Sequence, residues 1–151
     1  MEKEKNILVI GKNNCFLSKT TRERAQKIVD RGRAKWIGSN RILLLITYSE
    51  QRKIQRRIKE NSGRICYICG EKVVVDNLIT IDHVIPKKFG GKDEEWNLRC
   101  CCFRCNKDKG CQSIGKYLEH INANRKDYLY ITDNKLNELR EFVETFYQNL
   151  I

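Results

Sequence analysis

The sequence has no long apolar run, no internal repeat and only one proline, Pro86. No segment approaches the ~18–20 consecutive apolar residues that a membrane-spanning helix needs. The first apolar run, residues 7–10, is too short for the core of a signal peptide, so we expect a cytoplasmic protein. A chain of 151 residues can bury one modest core, or a small core and a satellite domain.

Cysteine, by contrast, is abundant, with eight residues in the chain. In a cytoplasmic protein, paired C-x-x-C spacing argues for zinc and against a disulfide framework. Cys100 and Cys101 leave open which cysteine begins the second pair, but only Cys102 gives the C-x-x-C spacing with Cys105. Two such pairs match a closed four-thiolate site for a structural Zn²⁺. The four predicted ligands are Cys66, Cys69, Cys102 and Cys105.

The net charge of +11 is unevenly distributed. Residues 1–64 contain 17 Lys and Arg against 6 Asp and Glu, whereas residues 65–111 contain 8 against 7 and residues 112–151 contain 5 against 6. A basic excess concentrated in one segment is typical of a polyanion binder. The alternative is a solvated basic face without a partner.

The N-terminal segment, residues 1–48, has the pattern of a small α/β unit. Residues 7–10 predict a strand, and Thr20 or Thr21 can cap a helix that Gly32 ends. Residues 34–47 predict a hairpin. We expect this basic segment to bind nucleic acid, with duplex DNA or structured RNA left open.

Residues 49–64 predict a basic linker helix with a thin apolar stripe, Ile54 and Ile58. This helix could lie along a phosphate backbone or be a solvated linker. Residues 112–151 predict a C-terminal pair of helices, 113–123 and 133–150. The residues expected to contact nucleic acid in residues 1–64 are Arg33, Lys35, Arg52, Arg56 and Arg57.

The central segment, residues 65–111, carries the candidate chemistry. A strand over 78–83 ends in Asp82 and His83, a second strand covers 97–101, and a helix follows from residue 103 or 104 to Gly110. Asp82, His83 and Asn106 can converge on one cleft. A carboxylate and an amide oxygen suit Mg²⁺ or Mn²⁺, and a neutral imidazole beside such an ion can act as a base for water.

Residues 66–110 resemble the HNH (ββα-metal) endonucleases. The shared features, in order, are the first C-x-x-C pair, Ile81-Asp82-His83-Val84-Ile85-Pro86, Gly90-Gly91, Asn97-Leu98, the second C-x-x-C pair and Asn106-x-x-Lys109. The resemblance implies an α+β protein in which a zinc-stabilised ββα-metal core joins a small basic α/β N-terminal domain and a C-terminal helical pair.

The resemblance also implies roles for single residues. His83 matches the general base, and Asp82 and Asn106 match ligands of the catalytic divalent ion, although many members have histidine at the last position. Asn97 matches the asparagine that holds the loop behind the histidine. Lys109 matches a position suited to a phosphate contact.

The implied activity is metal-dependent hydrolysis of DNA, by nicking as a monomer and with double-strand cleavage open to a homodimer. The source would be a phage or mobile element in a prokaryotic host. The N-terminal segment partly resembles that of transposon-encoded RNA-guided nickases and their HNH-only relatives, but lacks the two prolines of their Pro-Leu-Met-Pro opening. The alternatives are a noncatalytic zinc-stabilised nucleic-acid-binding module and an accessory nuclease that acts with a guide RNA.

Overall fold

The structure is a computed structural model that describes residues 4–150. Within this range the chain forms two sheets and five α-helices, so the expected α+β class is confirmed. No helix in the described range is long and apolar enough to cross a bilayer. The N-terminal elements are β1 (Ile7–Ile10), β2 (Phe16–Thr20), α1 (Arg22–Asp30), β3 (Ala34–Gly38) and β4 (Arg41–Leu44).

The four N-terminal strands form one sheet in the order β2-β1-β4-β3. β3 and β4 form the predicted antiparallel hairpin, and β4 also pairs in parallel with β1. The sequence analysis missed β2, four of whose five residues are exposed. An edge strand held by main-chain hydrogen bonds to β1 does not need alternating apolar side chains, so the sequence of β2 did not indicate a strand.

Helix α1 covers this sheet. The Thr21 side chain accepts a hydrogen bond from Arg24 N, and Gly32 follows the helix with φ of 72°. Glycine adopts this left-handed conformation without the penalty that a Cβ imposes. The small core beneath α1 consists of Ile7, Val9, Ala25, Ala34 and Ile42.

Helix α2 (Tyr48–Asn61) links the two cores. It begins with a capping box, in which Thr47 and Glu50 each bind the other's backbone N–H. Ile58 is buried in the larger core and Ile54 packs against it, so α2 is anchored on one face and basic on the other.

The central segment is a hairpin followed by a helix: β5 (Ile79–His83), β6 (Leu98–Cys102) and α3 (Phe103–Lys109). β5 and β6 are antiparallel, with Asp82 opposite Arg99 and His83 opposite Leu98. Helix α3 packs against both strands. This is the predicted strand, loop, strand and helix order. The start of α3 follows the end of β6 directly, and Lys109 in the last turn of α3 lies against the end of β5.

Two C-terminal helices, α4 (Ile114–Ala123) and α5 (Asp133–Gln148), complete the larger core. Leu136, Leu139 and Phe146 of α5 are buried, as their helical spacing predicted. Together with Tyr117 and Ile121 of α4, they close the core that lies under the central hairpin.

Candidate active site

Four cysteine sulfurs form a cluster at one end of the hairpin. The ligand atoms of Cys66, Cys69, Cys102 and Cys105 all lie within 4.8 Å of one another. The first pair lies on a tight turn closed by a 2.9 Å bond from Gly70 N to Cys66 O, and the second lies at the start of α3. Four convergent thiols fit a structural Zn²⁺, since they leave no ligand position open.

The electrostatics of this cluster favour a thiolate. The Cys101 thiol lies 3.8 Å from the Cys66 sulfur, and hydrogen bonds from Cys101 and then Cys105 hold the pKa of Cys66 well below its ordinary value. Cys101 is buried beside the cluster but outside the convergent four. The structure therefore selects Cys102 as the first ligand of the second pair.

Asp82 lies near the end of β5 and is buried, with 4% of its surface exposed. Its Oδ2 accepts a 2.5 Å hydrogen bond from the Tyr67 hydroxyl, and its Oδ1 lies 3.0 Å from the Lys109 ammonium. Burial and the neighbouring Asp82 carboxylate raise the pKa of Tyr67, so this hydroxyl keeps its proton. Tyr67 belongs to the first cysteine pair, which connects the thiol cluster directly to Asp82.

Asn106 reaches the same strand from α3. Its Nδ2 donates to Thr80 Oγ1 at 2.8 Å and lies 3.5 Å from Ile81 O, so the amide stands beside the residues that precede Asp82. With the amide nitrogen bound in this way, the amide oxygen remains as the acceptor of the group.

Asp82 and Asn106 have the right chemistry for a hard divalent cation. An ionised carboxylate has about four lone-pair sites, and the bonds from Tyr67 and Lys109 use two of them. One carboxylate and one amide oxygen are the ligand types that Mg²⁺ and Mn²⁺ prefer over the thiolates of the zinc cluster. The donor set therefore fits the expected ion.

His83 follows Asp82 and is only partly buried. Its Nε2 lies 2.7 Å from Oδ1 of Asp93, a buried residue of the loop between β5 and β6. Lys87 Nζ lies 3.0 Å from the same oxygen. Burial raises the pKa of Asp93, but the hydrogen bonds from His83 and Lys87 outweigh this and hold it below the ordinary value.

Asn97 fixes the loop that follows His83. The side chain is fully buried; its Oδ1 accepts from Ile85 N at 2.7 Å and its Nδ2 donates to Ile85 O and Lys92 O, each at 3.0 Å. Gly91 lies against the same group, since a Cβ there would stand 1.7 Å from Ile85 O. Asn97 thus ties Ile85 to Lys92 across the loop that follows His83.

The residues expected to contact nucleic acid divide into two groups. Lys35, Arg52, Arg56 and Arg57 are exposed, although Arg56 pairs with Glu60 and Arg57 with Glu95. Arg33 and Lys109 differ from the expectation. Arg33 faces Asp93, and Lys109 is only 1% exposed because α3 packs its last turn onto β5.

The sequence analysis did not single out Tyr67, Lys87 and Asp93. Each lies close to a recognised motif, but the sequence does not show in which direction a side chain between two motif positions points.

A basic cleft of about 320 Å³ lies between α1 and the loop after His83. Its basic lining residues are Lys27, Arg31, Lys87 and Lys88.

Comparison with family models bears on this part of the chain. Residues 66–112 match the family model described as HNH endonuclease, which confirms the resemblance of this segment to that family. Its match supports a nuclease-type function with a nucleic-acid substrate. Comparison with curated proteins gave no match.

Among solved structures, the chain is similar to the crystal structure of the type II-C Cas9 enzyme from Actinomyces naeslundii. The identity is 17%, the TM-score is 0.38, and the alignment covers 78% of this chain and 13% of that chain. The chain therefore corresponds to a small part of that protein's length, and a likeness this distant does not establish a shared fold.

Proposed function

We propose that this protein is a metal-dependent HNH endonuclease that hydrolyses phosphodiester bonds in DNA. The single observation that supports the proposal is that the residues matching the HNH model include Asp82 and His83 at the end of β5 and Asn106, which α3 brings against Thr80 of the same strand. A zinc-stabilised binding module needs none of these three side chains beside its thiol cluster.

Asp82 and Asn106 would hold Mg²⁺ or Mn²⁺, which when bound supplies positive charge to the scissile phosphate and the leaving 3′ oxygen. Two hydrogen bonds that orient the Asp82 carboxylate support this assignment. Tyr67 and Lys109 bind its two oxygens from opposite elements, the first cysteine pair and α3. Cys66, Cys69, Cys102 and Cys105 would hold a separate structural Zn²⁺.

His83 would act as the general base. The bond between its Nε2 and Asp93 leaves Nδ1 to take a proton from the attacking water. Asn97 keeps the loop behind His83 in place, so the imidazole does not need to be ordered when the substrate arrives. The products would be a 5′-phosphate and a 3′-hydroxyl.

DNA would approach along the basic N-terminal elements. The exposed side chains of Lys35, Arg52, Arg56 and Arg57 contribute positive charge, and the cleft lined by Lys27, Arg31, Lys87 and Lys88 carries it to the loop beside His83. Such charge attracts phosphates without reading sequence. One site cuts one strand, so a monomer would nick and a dimer could cut both strands.

The test is conversion of supercoiled plasmid to the nicked circle by the full chain with Mg²⁺ or Mn²⁺. We expect conversion that EDTA stops, and a product that DNA ligase seals directly because its ends are a 5′-phosphate and a 3′-hydroxyl. Metal-dependent binding of the plasmid without any nicking would support the noncatalytic module instead. Nicks that ligase cannot seal would contradict the proposed hydrolysis.

A further inference from the structure

Asp93 is a buried acid beside His83. It lies in the loop between β5 and β6 with 4% of its surface exposed. One carboxylate oxygen, Oδ1, is 2.7 Å from His83 Nε2 and 3.0 Å from Lys87 Nζ. Burying an ionised carboxylate costs free energy, and hydrogen-bonded partners of opposite charge such as these offset that cost.

The N-terminal segment holds the loop that carries Asp93. Asp93 N donates to Arg31 O at 3.2 Å, across the turn that joins α1 to β3. Gly32 of the same turn is so close to the loop that a Cβ there would stand 2.6 Å from Glu94 Oε1. The turn and the active-site loop are therefore in direct contact.

Arg33 faces the second oxygen of Asp93. Asp93 Oδ2 and Arg33 Nε are both buried, and neither has a hydrogen-bond partner within the described residues. The nearest approach of the two groups is 4.0 Å, between Arg33 NH1 and Asp93 Oδ2. The Arg33 guanidinium and the Asp93 carboxylate have opposite charges and attract each other. If the two side chains approached by about 1 Å, they would form a charge-assisted hydrogen bond.

We propose that Asp93 is the positioning residue for His83, and that the turn between α1 and β3 holds Asp93 in place through Arg31 and Arg33. The Asp93 carboxylate fixes the imidazole with its hydrogen on Nε2 and leaves the lone pair on Nδ1. The N-terminal segment thereby contributes to the active site besides supplying charge for nucleic acid.

The chemistry of the two groups sets the direction of the bond. An ionised carboxylate can only accept a hydrogen bond, so the hydrogen must be on His83 Nε2. In a neutral imidazole the other nitrogen then carries the lone pair. The lowered pKa of Asp93 agrees with an ionised carboxylate at this position.

The tautomer of His83 can be measured without any nuclease assay. The chain has only two histidines, His83 and His120, so long-range ¹H–¹⁵N correlation spectra of the rings are simple to assign. At a pH where the imidazoles are neutral, we expect the Nε2–H tautomer for His83 in the full-length wild type. An Nδ1–H tautomer there would overturn the proposal before any variant is made.

Substitution then tests the role of Asp93. In Asp93→Ala we expect a mixture of both His83 tautomers, whereas Asp93→Asn, whose amide oxygen can still accept from Nε2–H, should restore part of the wild-type spectrum. The exposed Asp127→Asn is the control and should leave His83 unchanged. An unchanged His83 tautomer in a folded Asp93→Ala variant would contradict the positioning role.

The catalytic consequence rests on the proposed function of His83. We expect Asp93→Ala to lower the single-turnover nicking rate by about 10–100-fold, by analogy with the carboxylates that orient metal-ligating histidines. The Kd for a short DNA duplex should not change, since Asp93 is buried. A rate for Asp93→Ala equal to that of Asp127→Asn would overturn the positioning role of Asp93. If His83→Ala still nicks DNA while the wild type shows the Nε2–H tautomer of His83, only the general-base assignment is removed.

Discussion

Asp82 is a buried carboxylate with both of its oxygens hydrogen-bonded. Its two oxygens accept hydrogen bonds from Tyr67 and Lys109, which belong to the first cysteine pair and to α3. Lys109 is buried and Tyr67 is partly buried beside the carboxylate, and Lys109 also donates to His83 O at 3.1 Å. Lys109 therefore supports the strand end from within, and its burial argues against the phosphate contact that the resemblance implied.

This residue-scale account predicts the effect of removing the ammonium. Lys109→Met should lower the free energy of unfolding by about 3–5 kcal/mol, because it leaves a buried carboxylate without its cation. The matched control is Lys107→Met, an exposed position of the same helix, where a change within about 0.5 kcal/mol is expected. Urea denaturation of both variants measures the difference, and equal midpoints would show that the Lys109–Asp82 pair does not stabilise the fold.

At the scale of elements, the loop between β5 and β6 determines where His83 stands. Asn97 makes three hydrogen bonds to the loop backbone, and Gly91 leaves room for the Ile85 carbonyl that takes part in one of them. The loop is thus closed around a buried amide with no space for an additional carbon atom.

Two neighbouring glycines provide a matched pair of substitutions. Gly91→Ala would place a Cβ 1.7 Å from Ile85 O and 2.9 Å from Asn97 Nδ2, so the loop must open and nicking should fall at least as far as in Asp93→Ala. Gly90→Ala meets no atom within 4 Å but has φ of 85°, which should cost about 1–2 kcal/mol of stability with little change in rate. Thermal unfolding and single-turnover nicking separate the two effects; similar activities would refute the tight loop.

The sequence predicted the parts of this site that local spacing determines. The C-x-x-C spacing indicated the four convergent thiols, and the strand and helix patterns indicated the elements that carry Asp82, His83 and Asn106. The pairing of Asp93 with His83 and the inward direction of Lys109 depend on how separate elements pack. For the same reason the parallel pairing of β1 with β4 was not foreseen.

At the scale of the whole molecule, the described residues form two separate cores. The small N-terminal core lies under α1, and the larger one joins α2, the central hairpin and the two C-terminal helices. The thiol cluster is part of the larger core, with its four cysteines buried there. The thiol cluster and the end of β5 that carries Asp82 are therefore stabilised by the same packing.

Loss of zinc should consequently unfold the larger core. Cys69→Ser should lack bound zinc and show no cooperative thermal transition for that core, because structural zinc contributes about 10–16 kcal/mol and a domain's whole stability is about 5–15 kcal/mol. Cys111→Ser, at an exposed free cysteine, should keep one zinc per chain and the wild-type Tm. Metal analysis and calorimetry provide the comparison, and an unchanged Tm in Cys69→Ser would exclude a structural zinc.

The most direct measurement of the central claim compares the two histidines in one nicking assay. Wild type, His83→Ala and His120→Ala are incubated with supercoiled plasmid and Mg²⁺ or Mn²⁺ at equal concentrations. His83→Ala should lose metal-dependent nicking, and His120→Ala should retain the wild-type rate because His120 lies on α4, outside the site. Equal nicking by wild type and a folded His83→Ala variant would contradict the assignment of His83 as the base and, with it, the proposed mechanism.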